Sequence, residues 1–532
     1  MNAAQEAAAE RSKLVRRAGV VGLGTLASRI LGLAREIVLA AIFTRDETDA
    51  FFVAFTIPNA LRQLLAEGTM SSALVPVLSA KLSTEGDEPA RAFVQRVRGV
   101  SIVALAVVTV LGVVFARELT ELFAAGYHDR PGEFERTVSL TRAVFPYIFF
   151  MGTAAVGMAC LHAKKEFAVA SFAPGLLNVA QILAAVGLVP VLAAHGVDPV
   201  QALSIGALVG GAGQVVAQWP SLKRLGFLRR PIVDFGDPAV REMFRRIAPM
   251  MLGIGVYYVD LTLSRRFLSE LGVGAQSYFT WAMRLCDFPQ GIFVMALSTA
   301  ALPSLAALAA KGDVVEVGKT YAHGMRLAMF VAVPASVLFA ALGEPIVVAL
   351  FQRGAFDAAA ARETARALAW QGGAIWTVSA VRQILPVFYA LGDTRTPVVV
   401  SALDLLAFIG LALGLRGSMG HVGISAAVAG SSAVQMALLF VALKRKLGTL
   451  RSWEVGRSVG RTLVASAVAA VVGWEVARAL EPLASGDVTR LLPGGLGSLA
   501  FGLAFLLAAR LLGSEELRLL VGGVRRRVAR RR

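Results

Sequence analysis

Apolar stretches approaching or exceeding about 20 residues recur along the whole chain, among them Gly99–Ala116, Ala168–Ala193, Leu327–Leu342 and Leu496–Leu512. A stretch of that length crosses the hydrocarbon core as a helix, because only a helix satisfies its own backbone hydrogen bonds where water is absent. The pattern predicts an all-α integral membrane protein with about 14 transmembrane helices. The spans fall near residues 17–43, 49–79, 97–116, 139–162, 166–193, 199–219, 243–269, 274–309, 322–348, 364–391, 396–415, 421–443, 459–480 and 491–513. The windows 49–79 and 274–309 are long for one crossing, so they are expected to tilt or to project into the cytoplasm.

Composition agrees. The 532 residues are 56% hydrophobic and 17% charged, against about 25% charged in soluble domains, and mean hydropathy is +0.66. The net charge of +17 would suggest nucleic acid in a soluble protein. Here the basic residues fall mostly in alternate loops, so topology accounts for them and no nucleic-acid partner is expected. Lys81, Arg91, Arg96 and Arg98, then Lys164 and Lys165, Lys223, Arg224, Arg229 and Arg230, Lys311 and Lys319, Lys444–Lys446, Arg451 and Arg457, and the Arg525–Arg532 tail share one side. The opposite loops are sparse in cations: 194–200 has none and Glu118–Glu135 is acidic on balance. The positive-inside rule then places both termini in the cytoplasm of a multi-pass inner-membrane protein. Arg11, Lys13, Arg16 and Arg17 precede a first apolar segment too long for a signal peptide and lacking a small-residue cleavage site, so it reads as an uncleaved first span. Cys160 and Cys286 lie inside apolar segments, and no CxxC spacing suggests a metal.

The chain repeats itself at an offset of 227 residues. Ala73-Leu74-Val75-Pro76 falls on Ala300-Ala301-Leu302-Pro303, Phe51-Phe52 on Tyr278-Phe279, and Leu161-His162-Ala163 on Phe388-Tyr389-Ala390, while Leu122-Phe123 meets Leu350-Phe351 after one further shift. The shared offset predicts two six-helix lobes in pseudo-twofold arrangement, residues 1–220 and 221–445, with two C-terminal helices and a basic tail in 446–532. Parallel repeats around a central site are a recurrent transporter design that operates by alternating access.

Ionisable residues within spans are costly, on the order of 2.5–3.5 kcal/mol each, and mark function unless they snorkel. Arg29 and Arg35 lie in the first span; Asp49, Asn59, Arg62 and Glu67 in the second; Asp260 and Arg265 in the seventh; Arg284 and Asp287 in the eighth; Asp404 in the eleventh. Asn59 and Arg62 are three apart on one helix face, and Arg284 and Asp287 repeat that spacing. Each has a structural alternative: Arg62 with Glu67, or Arg284 with Asp287, can be ion pairs, Asp49 can cap its helix, and Arg265 and Arg266 are placed to snorkel outward. Arg29, Arg35, Arg62 and Arg284 nonetheless leave an excess of cations in the leading helices of both lobes. A water-filled cavity receiving a phosphate-bearing anion explains that excess, because guanidinium grips phosphate bidentately. Asp260 and Asp404 are candidates for a cation site; Asn178 lies one residue from the repeat counterpart of Asp404. Pro58, Pro76, Pro146, Pro174, Pro289, Pro303, Pro386 and Pro397 recur in the repeat-related helices, where bends suit gating but also occur passively. The five histidines form no ligand-spaced cluster, no catalytic constellation emerges, and there is no P-loop. A transporter without cofactor or catalytic residues is expected, driven by membrane potential, a monovalent cation or substrate supply.

These same residues carry a family resemblance. Ser28-Arg29-Ile30-Leu31-Gly32-Leu33-Ala34-Arg35-Glu36 resembles the first-helix signature of the MurJ (MviN) lipid II flippases. Thr48–Phe55, Pro58–Arg62 with Ala66-Glu67-Gly68, Leu350–Phe356 and Phe388–Pro397 continue it. The resemblance covers spans one to twelve, and the family belongs to the multidrug/oligosaccharidyl-lipid/polysaccharide exporter superfamily. It implies export of lipid II, the undecaprenyl-diphosphate-linked peptidoglycan precursor, from the cytoplasmic to the periplasmic leaflet in cell-wall biogenesis. It further implies that Arg29, Arg35 and Arg62 contact the diphosphate and sugar-peptide, with Asn59, Asp49 and Glu67 nearby, that Arg284 matches the family's eighth-helix arginine beside Asp287, and that the last two helices hold the polyprenyl tail. Lipid II, membrane lipids and the peptidoglycan synthesis machinery are the expected partners of a monomer. Glu36 replaces the family's usual Asp, 44–47 lacks its glycines, and span eleven lacks an obvious family Asn, which puts sodium coupling in doubt. A flippase for another polyprenyl-linked glycan and a multidrug antiporter are the alternatives. The antiporter predicts cavity carboxylates for cationic drugs where this chain has arginines, and a non-transporting scaffold predicts no clustered intramembrane charge.

Overall fold

The computed structural model describes residues 3–65, 69–291, 295–448 and 450–520, and every regular element among them is helical. Two compact units emerge, Met1–Val273 and Gly274–Arg532. The first contains α1 (Ala3–Ile42), α2 (Arg45–Leu65), α3 (Thr69–Thr84), α4 (Asp87–Val114), α5 (Ala116–Ala124), α6 (Glu133–Val144), α7 (Tyr147–Ala163), α8 (Ala168–Phe172), α9 (Gly175–Gly187), α10 (Val189–Ala194), α11 (Gln201–Arg224) and α12 (Pro238–Ser269). The second contains α13 (Ala275–Pro289), α14 (Met295–Ala310), α15 (Val314–Phe351), α16 (Ala358–Gly373), α17 (Ile375–Ala390), α18 (Arg395–Met419), α19 (His421–Leu447), α20 (Ser452–Leu480) and α21 (Leu491–Leu511). Among the described residues, eight helical stretches are long and apolar enough to cross a membrane.

Several expected spans are broken rather than continuous. The long windows each hold two helices, α2 with α3 and α13 with α14. Pro146 caps α7 and Pro174 caps α9, so windows 139–162 and 166–193 are interrupted where proline removes a donor and its ring crowds the preceding turn. In α15 the backbone leaves helical geometry at Leu342. Pro345 lies just beyond, where its ring strains the turn before it. Pro58, Pro76, Pro289, Pro303 and Pro386 remain inside helices. Side-chain caps start the polar-flanked helices: Asp237 accepts from the Ala239 and Val240 amides before α12, Asp313 from Glu316 before α15, and Asp357 from Ala360 before α16.

In the first unit, α1 packs on α8 and α9, α2 on α6 and α7, and α12 on α2, α3 and α5. One core gathers Leu74, Leu78, Phe93, Val97, Ala159 and Met243, and a second gathers Val53, Ile57, Tyr127, Phe134 and Phe145. The segment 225–237 lies across α4: Arg98 Nη1 donates to the Phe227 and Arg229 carbonyls at 3.0 and 2.9 Å, and the Ile232 amide to the Gln95 carbonyl at 3.2 Å. In the second unit, α15 packs on α16, α17, α20 and α21. A clasp closes that packing. Arg326 Nε donates to Glu516 at 2.7 Å, and Glu516, 3% exposed, also accepts from Ser458 and Ser514. The last two helices are thereby tied to α15. Outside the cores, α4, α18, α20 and α21 present large apolar side chains outward, including Val110, Leu406, Val471 and Leu503, as helices bathed in lipid do.

Close approach depends on particular glycines. A Cβ on Gly494 would stand 2.2 Å from the Pro345 carbonyl oxygen, whereas one on the adjacent Gly495 would meet open space. Gly494→Leu is expected to cost about 1–3 kcal/mol of stability through overpacking, seen as an earlier melt of the purified protein, and Gly495→Leu to leave the melt unchanged.

Candidate functional site

The first helix positions its cations by packing on α9, an apolar helix interrupted by Asn178 and Gln181 three residues apart. Arg35 is 8% exposed, and its Nη1 donates to Asn178 Oδ1 and Gln181 Oε1, both at 3.1 Å. Nη2 forms an ion pair with Glu36, itself 1% exposed. The amides are anchored in turn: Asn178 Nδ2 donates to the Ser28 carbonyl at 3.1 Å, and Gln181 Nε2 to the Leu203 carbonyl of α11 at 3.3 Å. Gly32 lies beside this contact; a Cβ there would touch Asn178 Nδ2 at 3.7 Å, an ordinary van der Waals distance. Arg35 is therefore a buried, oriented cation joining α1, α9 and α11. Arg29, two turns earlier, is half-buried.

On α2, Arg62 is 9% exposed and donates from Nε to Asn59 Oδ1 at 3.0 Å, so the three-residue spacing does bring the pair together. Glu67 lies outside the described residues. Asp49 is fully buried near the other end of α2, with Arg130 Nη1 at 3.8 Å. In the second unit, Arg284 and Asp287 approach to 3.7 Å along α13, both half-exposed. Asp260 belongs to the first unit and Asp404 to the second; each is half-buried. Arg265 departs from the expected outward snorkelling: it is 3% exposed, because α5 and the 125–129 turn cover this end of α12. Its neighbour Arg266 donates to the Glu121 carbonyl at 3.1 Å. No group of His, Cys, Asp and Glu suited to a metal occurs among the described residues.

Residue-by-residue reading missed Gln181, Glu133, Arg130 and Arg136. Gln181 carried a signal, since Asn178 and Gln181 form a polar pair at the same i, i+3 spacing as Asn59 with Arg62, inside an apolar helix. Arg130 precedes α6, and Glu133 and Arg136 lie in its first turn, where nothing in the local pattern marks burial.

Glu36 forms an ion pair with the buried Arg35 guanidinium, so its loss is severe. Glu36→Ala is expected to destabilise the protein by about 3–5 kcal/mol, and Gln181→Leu by about 1–3 kcal/mol by leaving Arg35 short of an acceptor. Melting of both variants in detergent checks the order.

Comparison with known proteins places this architecture. Residues 39–492 match the family model described as "Lipid II flippase MurJ". Among curated relatives, the lipid II flippase MurJ of Burkholderia cenocepacia is 34% identical over 434 residues, 79% of this chain and 82% of that protein. The probable lipid II flippase MurJ of Vibrio cholerae is 32% identical, covering 80% and 82%. Among solved structures, a lipid II flippase MurJ in an inward closed conformation superposes with a TM-score of 0.74 at 21% identity, covering 92% of this chain and 99% of that one. An inward-facing multidrug-resistance MATE transporter of the MOP superfamily superposes with a TM-score of 0.63 at 15% identity, covering 80% and 96%. The fold is that of these transporters, and the family match, which runs from the end of the first helix into the last, makes this multi-pass membrane chain a member of the lipid II flippase MurJ family.

Proposed function

We propose that the protein flips lipid II, the undecaprenyl-diphosphate-linked peptidoglycan precursor, from the cytoplasmic to the periplasmic leaflet of the inner membrane. The observation that carries this reading is the family match over residues 39–492, joined by relatives more than 30% identical over about four-fifths of both chains. The chemistry supports it. Arginine is the side chain suited to a diphosphate, and Arg29, Arg35, Arg62 and Arg284 are the intramembrane cations assigned to the headgroup, with Asp49, Asn59, Glu67 and Asp287 beside them. In this reading Arg29 in the first unit and Arg284 in the second, each half-exposed, contribute guanidinium to phosphate binding. Arg35 is pre-oriented by Asn178 and Gln181, and a phosphate oxygen replaces one of those amide acceptors when the headgroup is bound. Alternating access then carries the headgroup across while the tail stays in lipid. Both termini are cytoplasmic, the chain acts without cofactor or catalysis, and membrane potential or a monovalent cation, with Asp260 and Asp404 as candidate ligands, supplies the driving force.

A MATE-like fold raises the multidrug antiporter as the second reading. Cationic drugs need carboxylates, whereas the charges assigned here are mainly guanidinium. Depletion of the protein, read with a leaflet-specific assay of lipid II, is expected to stop its appearance in the outer leaflet; unchanged outer-leaflet lipid II would refute the reading. Arg29→Ala and Arg284→Ala are expected to abolish complementation while expression stays intact, and full complementation by both would remove them from the headgroup site.

A further inference from the structure

The first unit holds a second concentration of buried charge, at the end where the segments 44–48, 115–137 and 194–200 meet. Its core is Glu133, the first residue of α6, 5% exposed. Glu133 Oε1 and the hydroxyl of Tyr127, a residue with no exposed surface, have no hydrogen-bond partner among the described residues. The helical stretch 133–163 counts 31 residues, more than the roughly 20 that cross the hydrocarbon core. The hydropathy pattern puts its crossing part near 139–162, and Glu133 precedes that window.

Carboxylates outnumber the cations free to neutralise them here. From α2 come Asp46, Glu47, the fully buried Asp49, and Arg45; from the loop before α11 comes Asp198. From α5 and the following turn come Glu118, Glu121, His128, Asp129 and Arg130; from α6 Glu135 and Arg136; from α12 Arg265, Arg266 and Glu270. Several of these cations donate to groups other than Glu133. Arg136 donates to Asp46 at 2.7 Å and to Asp198 at 2.8 Å, and approaches Glu133 only to 3.9 Å. Arg45 donates to the Ala40 and Phe43 carbonyls, Arg130 to the Leu271 carbonyl and Arg266 to the Glu121 carbonyl. His128 pairs with Glu121, and Arg117 with Glu135. Glu47 accepts from Thr44.

Two of the carboxyls around Arg136 are driven apart. Burial raises Asp46, but hydrogen bonds from Thr44 and Arg136 outweigh it and hold Asp46 below the usual carboxylate range. Glu133 is pushed up to about 7 by burial and then by the charges of Asp49 and Asp46. Burial, with the same Asp49 and Glu133, keeps the Tyr127 phenol protonated. Environments that separate neighbouring titrating groups in this way assign one as the anion and the other as the proton carrier.

We propose that Glu133, with Asp49 and the Tyr127 hydroxyl, forms a proton-binding site at the external end of the first unit, through which the transporter exchanges a proton with the outer compartment. Water delivers the proton to a Glu133 carboxylate oxygen, and ionisation returns it to water; no other bond changes. The site is wired to α12. Arg130 links Asp49 to the Leu271 carbonyl, and the Gly126 amide donates to Ser269 Oγ at 3.1 Å. An ionised Glu133 competes for Arg130 and Arg136 and so loosens that clip.

The purified full-length protein is titrated between about pH 5.5 and 8.5 by infrared difference spectroscopy. A protonated-carboxyl C=O band is expected to disappear with a midpoint near 7. Glu133→Gln, a neutral isostere of the protonated acid, removes the band, and Asp46→Asn moves the midpoint down by removing a like charge. The melt gives an independent reading. A carboxyl raised on folding favours the protonated state, so wild-type stability falls as pH rises from the unfolded value towards and through about 7, and Glu133→Gln flattens that slope. A titrating band that survives Glu133→Gln, or no titration in this window, overturns the proposal. Lipid II takes no part in either reading, so failure here leaves the flippase reading standing.

Discussion

A guanidinium or carboxylate withdrawn from water must find partners inside the protein, because the desolvation cost of an unaccompanied ion is several kcal/mol. Within each unit this requirement decides which helices meet. Arg35 draws two amides from α9 and the carboxylate of Glu36, and the amides reach on to the Ser28 and Leu203 carbonyls. Glu516 collects Arg326, Ser458 and Ser514 and so fastens the chain beyond α21 to α15 and α20. Hydrophobic burial discriminates weakly between one helix face and another in lipid, whose tails are as apolar as leucine. Such polar clasps, together with glycines that admit close approach, are what remain to specify the packing.

The same rule separates the charges by role. Arg35 is buried between two amides and Glu36, whereas Arg284 lies 3.7 Å from Asp287 and stands half-exposed. The former is poised in a fixed orientation; the latter has surface to offer. Exchange of one neutral amide for a phosphate oxygen strengthens a hydrogen bond to a cation without leaving it bare. On the proposed reading, a site built this way holds its shape when empty and gains when the anion arrives. The acidic cluster around Glu133 follows the opposite logic. Arg136 donates to Asp46 and Asp198 and Arg130 to a backbone carbonyl, and in the proposal one carboxyl answers its burial by keeping a proton.

Breaks in the helices belong to this picture. Pro146, Pro174 and the departure at Leu342 free backbone groups within long apolar stretches, which membrane helices tolerate only where neighbours re-satisfy those groups. The Phe145 ring at the first break packs where a side chain on Gly112 would clash, with α4 and α7 against each other.

Hydropathy and loop charge alone established a multi-spanning helical membrane protein, since a segment's free energy in lipid depends on its own composition and the cost of bare backbone. The family was equally readable, because its motifs in 28–36, 48–62 and 388–397 are runs of adjacent residues. Asn59 with Arg62 was legible too, for both lie on one turn of one helix. The partners of Arg35, the burial of Arg265 and Glu133, and the division of windows 49–79 and 274–309 were not. Asn178 and Gln181 stand more than 140 residues from Arg35. Arg265 carries no local mark distinguishing a covered helix end from an exposed one. An ion's fate depends on which dipoles and charges surround it in space, and that neighbourhood exists only once distant helices have packed.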